Sequence, residues 1–190
     1  MRELVYYVAV SIDGFVADPD GGYDAFLAEG DHMEVLAGEF ADAVPAHVLA
    51  ALGRSAPGTR FDTVIQGWNS YAIAYSVGIE RPYAHLREYV ATRTRRPSVD
   101  GVTFTDDALT TVRALKREDG AAIYLCGGGQ LAGALLPEID RLILKRNPVV
   151  LGSGIPLFGS APAANRPFRL VDTRRFGSGV LIEEYERVSG

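Results

Sequence analysis

The sequence is short of the residues on which several classes of protein depend. Its 190 residues include one cysteine, Cys126, so no internal disulfide can form and we expect a reducing, cytoplasmic location. The three histidines stand apart, without Cys or His partners at ligand spacing, and we expect no metal site. No apolar run approaches the length of a membrane span and no signal peptide is recognisable, so we expect neither a membrane segment nor secretion.

Basic residues are also too few to attract a polyanion. The chain has 19 Lys and Arg residues against 24 Asp and Glu residues, and its net charge of −5 excludes nucleic acid as a main partner. Ser11, Ser70 and Ser153 lack an assignable histidine partner, so a nucleophilic triad has little support. With 47% hydrophobic residues the chain can bury a core, and we expect one domain over residues 1–190 that acts on a small molecule.

Apolar segments alternate with amphipathic ones along the chain. Their β-branched and aromatic content predicts buried strands at residues 4–12, 62–66, 88–92, 101–105, 121–126 and 141–150. Helices are expected within residues 33–52, where Pro45 interrupts the pattern, and at 68–75, 107–118 and 131–136. The closing segments, joined by Gly177-Ser178-Gly179, predict an antiparallel hairpin. The pattern indicates a three-layer α/β fold with a mostly parallel central sheet and an antiparallel C-terminal hairpin.

A run of glycines after the strand at 121–126 is the first candidate ligand site. Open parallel sheets bind ligands beyond the carboxyl ends of their strands. Gly127, Gly128 and Gly129 stand where a helix begins, so free N–H groups favour a phosphate or pyrophosphate. A tight strand-to-helix turn is the alternative interpretation. Because neither a P-loop nor the pattern G-x-G-x-x-G fits, we predict a dinucleotide site of another architecture.

Two further loops contain polar residues suited to a ligand. The stretch from Thr92 to Arg96 offers two hydroxyls and three guanidinium groups, which suit a phosphate monoester or adenine, although a solvated charged surface is the alternative. Asp13 ends the first strand. Its carboxylate could orient an amino or amide group of a substrate or support proton transfer, and an ordinary Asp-Gly turn is the competing interpretation.

Several segments, taken in order, resemble one known family. They are VAVSIDGFVA (8–17), DTVIQGWNSY (62–71), YVATRT (89–94), the run from IYLCGGGQLAG to GIPLF (123–158) and the closing hairpin. The family comprises reductases of dihydrofolate-reductase-like fold and includes the reductase domain of the bifunctional riboflavin-biosynthesis deaminase-reductase. The most specific part is GGG after a strand, followed by L-A, L-L, PVVLGSG and LF.

The resemblance implies a role for each matching loop. The cofactor is expected to be NADPH, and a homodimer is expected from the same resemblance. The implied pyrophosphate residues are Gly127, Gly128, Gly129, Gln130 and Leu131; those for the adenosine and its 2′-phosphate are Gly67, Trp68, Asn69, Ser70, Thr92, Arg93 and Thr94; the substrate residues are Asp13, Phe15 and Tyr71, with Asp13 the catalytic candidate.

The chain departs from the family at positions that bear on its ligands. Trp68 replaces a usual arginine and removes one cationic phosphate contact, while Phe15 and Cys126 replace polar partners of a ribose-phosphate substrate. We therefore expect an NADP-dependent oxidoreductase that reduces a small heterocyclic or carbonyl substrate. One alternative is pteridine or pyrimidine reduction in folate or riboflavin synthesis, which Asp13 favours. Another is a nucleotide-binding or structural homodimer that has lost catalysis, for which Trp68 would be a sign of a decayed cofactor site.

Overall fold

The computed structural model describes residues 1–162 and 165–188. The strands are β1 (Leu4–Val10), β2 (Phe15–Ala17), β3 (Phe61–Gly67), β4 (Arg87–Ala91), β5 (Val102–Thr105), β6 (Ala122–Cys126), β7 (Arg141–Arg146), β8 (Ile155–Pro156), β9 (Phe168–Arg175) and β10 (Leu181–Arg187). The helices are α1 (His32–Gly38), α2 (Ala46–Ala51), α3 (Trp68–Tyr75), α4 (Ala108–Leu115) and α5 (Gly129–Leu135), with a 3-10 turn at Ala41–Ala43. None of the helices within these ranges has the length and apolar character needed to cross a membrane.

One large sheet organises the chain. Its eight strands lie in the order β5-β4-β3-β6-β1-β7-β10-β9, and all neighbours from β5 to β7 are parallel. The last two strands, β10 and β9, form the antiparallel hairpin at one edge, and β2 pairs with β8 in a separate two-stranded sheet. The α/β fold predicted from the sequence, a mostly parallel sheet that ends in a hairpin, is confirmed.

Each face of the sheet buries an apolar layer, because successive side chains of a strand point to opposite faces. We call the two sides the Tyr6 face and the Tyr7 face after adjacent residues of β1. The Tyr6 face packs against α4 and α5, through residues such as Val112 and Leu135. The Tyr7 face packs against the segment from α1 to the 3-10 turn, through Phe40 and its neighbours. Helical layers on both sides give the three layers expected from the sequence.

Two strands are shorter than the sequence predicts, for a reason that shapes the site. β1 ends at Val10 and β7 ends at Arg146, where the Asn147 amide donates to the Val10 carbonyl at 2.8 Å. Pro148 has no N–H with which to continue the ladder. The predicted strand ends at residues 12 and 150 were therefore wrong. After β1 and after β7 the chain leaves the sheet as a loop at the carboxyl edge.

The predicted helix boundaries are closer to those observed. Pro45 immediately precedes α2 and separates it from α1, as the sequence indicated. The Asp107 carboxylate accepts a hydrogen bond from the Thr110 amide at 2.9 Å and caps α4, which is shorter than the predicted 107–118. The glycine-rich helix α5 begins at Gly129 rather than at residue 131.

Candidate functional site

The carboxyl ends of four parallel strands meet at one edge of the sheet. The segments at the ends of β1, β3, β4 and β6 are residues 11–14, 67–70, 92–94 and 127–129, which the sequence singled out; Gly67 is the last residue of β3 and residues 68–70 open α3. Parallel strands place such loops side by side, and this edge is where open α/β sheets hold their ligands. The fold therefore brings the candidate loops to one side of the molecule.

The first glycine of the run lies directly against the loop that follows β3. Gly127 has φ +140°, a conformation that side chains rarely adopt, and a Cβ on it would lie 3.0 Å from Ser70 Oγ and 3.3 Å from the Gly67 nitrogen. The buried Tyr6 hydroxyl donates to the Gly127 carbonyl at 3.2 Å. These contacts hold two predicted cofactor loops, the one at 67–70 and the one at 127–129, against each other.

The next two glycines differ in what surrounds them. A Cβ on Gly129 would overlap the carbonyl oxygen of Pro156, so this glycine is required where α5 packs on the segment 156–159. A Cβ on Gly128, the N-cap of α5, would meet nothing within 4 Å. Tight packing therefore accounts for Gly129, whereas Gly128 borders open space that a ligand can enter. Beside them Gln130 is exposed and Leu131 is partly buried next to Gly67.

Trp68 is the centre of an aromatic cluster at the start of α3. Its ring lies 5.6 Å from that of Tyr71, and the Arg96 guanidinium carbon lies 3.6 Å from the centroid of the Trp68 ring. The Nε of Arg96 is buried and has no hydrogen-bond partner within the described parts of the chain. Sequence reasoning treated Trp68 as the loss of a cation, and it missed that the Arg96 guanidinium lies on the Trp68 ring.

The loop after β4 closes on itself and leaves its arginines outside. Thr92 Oγ1 accepts from the Thr94 amide at 3.2 Å and donates to the Thr94 carbonyl at 3.0 Å. Arg93 and Arg95 are exposed, and neither forms a salt bridge with a carboxylate of residues 1–162 or 165–188. The loop therefore presents unpaired positive charge at the carboxyl edge. Asn69, in the neighbouring loop, is also exposed.

The Asp13 carboxylate bonds to a neighbouring loop of its own chain. It accepts from Ser11 Oγ at 2.6 Å, from the Leu151 amide at 3.1 Å and from the Gly152 amide at 2.7 Å. The Ser11 hydroxyl and the two amides lower the pKa of Asp13, although burial opposes them. Asp13 is thus an ionised carboxylate that fixes the 11–14 turn to the 151–152 loop.

The two other predicted substrate residues occupy different environments. Phe15 is partly exposed in β2, opposite Pro156. Tyr71 is fully buried, its hydroxyl donates to the Glu80 carbonyl at 2.7 Å, and burial raises its pKa to about 12. Phe15 therefore has part of its ring exposed at the carboxyl edge, where a substrate could contact it. Tyr71 packs beneath Trp68 and has no exposed surface for a substrate.

Two residues of the Tyr7 face also reach this edge. Cys126 ends β6, and its sulfur lies 3.4 Å from the Tyr83 hydroxyl; burial raises the pKa of the thiol, so it stays neutral. Lys145 lies in β7, and its Nζ donates to the Leu27 carbonyl at 3.1 Å. Desolvation lowers the pKa of Lys145. The alternation of β7 could have revealed this lysine, since it places Lys145 on the same face as the buried Ile143.

Two depressions lie elsewhere on the surface, away from the candidate cofactor residues. A depression of about 450 Å³ lies at the amino edge of the sheet and is lined by charged residues such as Arg2 and Lys116, which form ion pairs. Another of about 560 Å³ lies beside Arg81 and Glu88. Neither is lined by a predicted cofactor residue. Within residues 1–162 and 165–188 no three His, Cys, Asp or Glu side chains are arranged to hold a metal ion.

Comparison with known proteins gives a consistent answer. The family model of the RibD C-terminal domain matches residues 2–182. The uncharacterized protein YwjB of Bacillus subtilis is 34% identical over 188 residues, which cover 95% of this chain and 96% of that protein.

Solved structures show the same fold at lower identity. A Shewanella sp. PV-4 protein named for riboflavin biosynthesis has a TM-score of 0.71 at 20% identity, over 99% of this chain and all of the other (100%). A Thermotoga maritima diaminohydroxyphosphoribosylaminopyrimidine deaminase/5-amino-6-(5-phosphoribosylamino)uracil reductase has a TM-score of 0.68 at 14% identity, over 98% of this chain and 57% of the other.

Proposed function

Because the chain belongs to the RibD C-terminal domain family, we propose that it is a reductase that uses NADPH to reduce a small heterocyclic or carbonyl substrate. The observation that carries the proposal is the open space beside Gly128, where the loops after β3 and β6 touch. When bound, the cofactor would supply a hydride to an electrophilic C=N or C=O carbon, and water would supply the accompanying proton to the nitrogen or oxygen.

The glycine run fits a pyrophosphate. Gly128 has no side chain and no neighbour within 4 Å of the Cβ position, so backbone N–H groups at the start of α5 are accessible to an anion. Gln130 and Leu131 continue this surface along the first turn. The loop at 67–70 would hold the adenosine beside it, since Ser70 lies against Gly127.

The unpaired arginines fit the 2′-phosphate that distinguishes NADPH from NADH. Arg93 is exposed between two threonine hydroxyls, and Arg96 is held on the Trp68 ring, where its terminal nitrogens would contact an anion. The ring restricts the guanidinium to one position, which lowers the entropy lost when a phosphate binds. Arg96 thereby compensates for the arginine that Trp68 replaces.

Asp13 would act on the substrate side of the nicotinamide. Ser11, Leu151 and Gly152 hold its carboxylate in one orientation and keep it ionised. A fixed carboxylate can accept hydrogen bonds from an amino or amide group and so orient a heterocycle. We assign Asp13 this role, with Phe15 covering one side of the substrate.

The test is a comparison of dinucleotide affinities by isothermal titration calorimetry. The unmodified protein should bind NADPH more tightly than NADH. Arg93→Ala and Arg96→Met should each weaken NADPH binding by roughly 10- to 150-fold and leave NADH nearly unchanged, because a charge-assisted bond is lost. Arg117→Met, which removes an exposed charge at the amino edge, is the matched control.

The outcomes separate the proposal from its alternatives. Equal losses for both dinucleotides would mean that the arginines support the fold or stack on adenine. Tighter binding of NADH would refute the cofactor assignment. Failure to bind either dinucleotide would favour a structural homodimer that has lost catalysis. Reduction of a pteridine or pyrimidine is the second enzymatic candidate, supported by the named uracil reductase among the structural neighbours, and Cys126 and Phe15 weigh against a ribose-phosphate substrate. We further propose that the protein is cytoplasmic and that it forms a homodimer. Light scattering would test the homodimer by measuring the molar mass in solution.

A further inference from the structure

An unpaired lysine lies on the Tyr7 face at the carboxyl edge of the sheet. Lys145 belongs to a strand that is paired on both sides, opposite Ala9 of β1 and Ile182 of β10. The other basic residues of β7 have carboxylate partners, Arg141 with Glu3 at 3.3 Å and Arg146 with Glu183 at 2.7 Å.

The ammonium group of Lys145 has no such partner. No carboxylate oxygen in residues 1–162 or 165–188 lies within 4.0 Å of its Nζ, which donates only to the Leu27 carbonyl. Asp13 is engaged by the 151–152 amides and Asp31 by the Gly177 and Ser178 amides, while Asp24 and Glu29, in the same loop as Leu27, do not come within 4.0 Å of the Lys145 Nζ. His32 is the other titratable group nearby, and it is buried.

The Lys145 side chain is partly buried, and its ammonium group, which bonds to the Leu27 carbonyl in an exposed contact, remains accessible to an anion. Deeper on the same face Tyr7, Tyr124 and Ile143 are buried. At the edge the last inward residues of three neighbouring strands, Cys126, Ala9 and Lys145, are only partly buried.

Ala9 and Lys145 lie side by side at the carboxyl edge. Ala9 is partly exposed and offers only a methyl group. Cys126 lies two strands away on β6 and is level with Tyr7, because its neighbour Leu125 pairs with Tyr6. The glycine run begins immediately after Cys126, and the turn that contains Asp13 begins two residues after Ala9. A substrate placed over Ala9 would lie between the dinucleotide and the lysine.

We propose that Lys145 binds an ionised oxygen of the substrate, and hence that the substrate is an anionic ring or carbonyl compound such as a heterocyclic carboxylate. This inference rests on the proposed function, because it places the substrate beside the dinucleotide. The neutral thiol of Cys126 adds no competing charge on this face of the sheet. Lys145 is therefore the charged group that selects the substrate on this side of the site.

The scarcity of amines makes the test direct. The amines of this chain are the N-terminus, Lys116 and Lys145, and Lys116 is ion-paired with Asp140 at 2.6 Å on the amino side. Reductive methylation with ¹³C-formaldehyde labels them for NMR, and Lys116→Arg and Lys145→Arg variants assign the signals. The probes are orotate, a pyrimidine carboxylate, and uracil, its neutral parent, each added to protein saturated with NADP⁺.

We expect orotate to shift the Lys145 signal and leave that of Lys116 in place. Calorimetry on unmethylated protein should show that Lys145→Met weakens orotate binding by roughly 10- to 100-fold, that Lys145→Arg retains most of it, and that uracil binding is equal in all three proteins. NADP⁺ affinity should stay within about twofold, since a group outside the dinucleotide site adds little to it.

Each other outcome overturns the inference. It fails if NADP⁺-bound protein does not bind orotate, if Lys145→Met leaves orotate affinity unchanged, or if Lys145→Arg is as weak as Lys145→Met. Loss of NADP⁺ binding in the unmodified protein would instead contradict the proposed function. The two failures are therefore distinguishable in one set of titrations. Should Lys145→Met not fold, the NMR shift and Lys145→Arg still decide the question.

Discussion

A buried glutamate next to the site makes a quantitative prediction about stability and pH. The Glu88 side chain is 0% exposed; it accepts from the Tyr83 amide at 3.2 Å and lies 3.6 Å from Arg81 Nε. Desolvation outweighs the Arg81 charge and raises the pKa of Glu88 from 4.5 to about 7. Because the unfolded chain releases this proton first, the free energy of unfolding should fall as pH rises from about 4.5 to about 7.

Replacing Glu88 with glutamine removes the ionisation and keeps the shape. One pKa unit corresponds to about 1.4 kcal/mol, so between pH 5 and pH 8 the wild type should lose about 2 to 3 kcal/mol relative to Glu88→Gln. Arg81 is 38% exposed, so in Glu88→Gln its guanidinium is hydrated by water. Loss of the Arg81–Glu88 ion pair therefore changes the predicted stability difference only slightly. Urea unfolding followed by circular dichroism at both pH values measures the difference.

The control has the opposite sign. The Glu118 carboxylate accepts a hydrogen bond from Arg87 at 2.6 Å, which lowers the pKa of Glu118, so its stabilisation is present at neutral pH and is lost as pH falls. Glu118→Gln should therefore lose stability relative to wild type at pH 8 and not at low pH. If the gap between wild type and Glu88→Gln does not change with pH, Glu88 is ionised and paired with Arg81, and the reasoning is wrong.

Two further predictions concern the segments of the site. Gly128→Val should fold and should lose dinucleotide affinity in calorimetry. Gly129→Val should be strongly destabilised in thermal unfolding, because its Cβ overlaps the segment 156–159. If folded Gly128→Val keeps its dinucleotide affinity, the glycine run is only a strand-to-helix turn. Asp13→Asn should lower turnover on an identified substrate, keep NADPH affinity and speed hydrogen exchange at the Gly152 amide, whose 2.7 Å bond to the carboxylate weakens. Normal turnover would remove Asp13 from the mechanism.

Local pattern predicted the fold because the central strands β1, β3 and β6 are nearly continuous apolar runs that end beside glycine or turn residues. The strand at 121–126 and its glycines illustrate this, since composition alone marks both the buried strand and the turn. The ends of β1 and β7 were missed because the Asn147 amide bonds to the Val10 carbonyl, a contact between segments far apart in the chain.

The site was predicted as loops but not as contacts. The sequence does not show that Arg96 lies on Trp68, because that stacking joins the loop after β4 to the start of α3. The family resemblance assigned Tyr71 to the substrate, but the residue is buried beside Phe104 of β5, whose ring lies 6.0 Å from that of Tyr71. Sequence reasoning did not single out Lys145, because a lysine near a strand end is usually solvated. Only the structure shows that no carboxylate of the described residues pairs with it.

The segment 151–159 connects the proposed substrate side of the site, at Asp13, with the proposed cofactor side, at Gly129. At one end its amides hold Asp13, in the middle Pro156 pairs with Phe15, and its far end packs on Gly129. In the proposed complex, a dinucleotide that orders Gly129 would also order the loop that holds Asp13, so part of the entropy cost of ordering the substrate side would already be met. Because linkage is reciprocal, each ligand would raise the affinity for the other by the same factor. The proposed function therefore implies cooperativity between dinucleotide and substrate, transmitted through a loop that need not touch either of them.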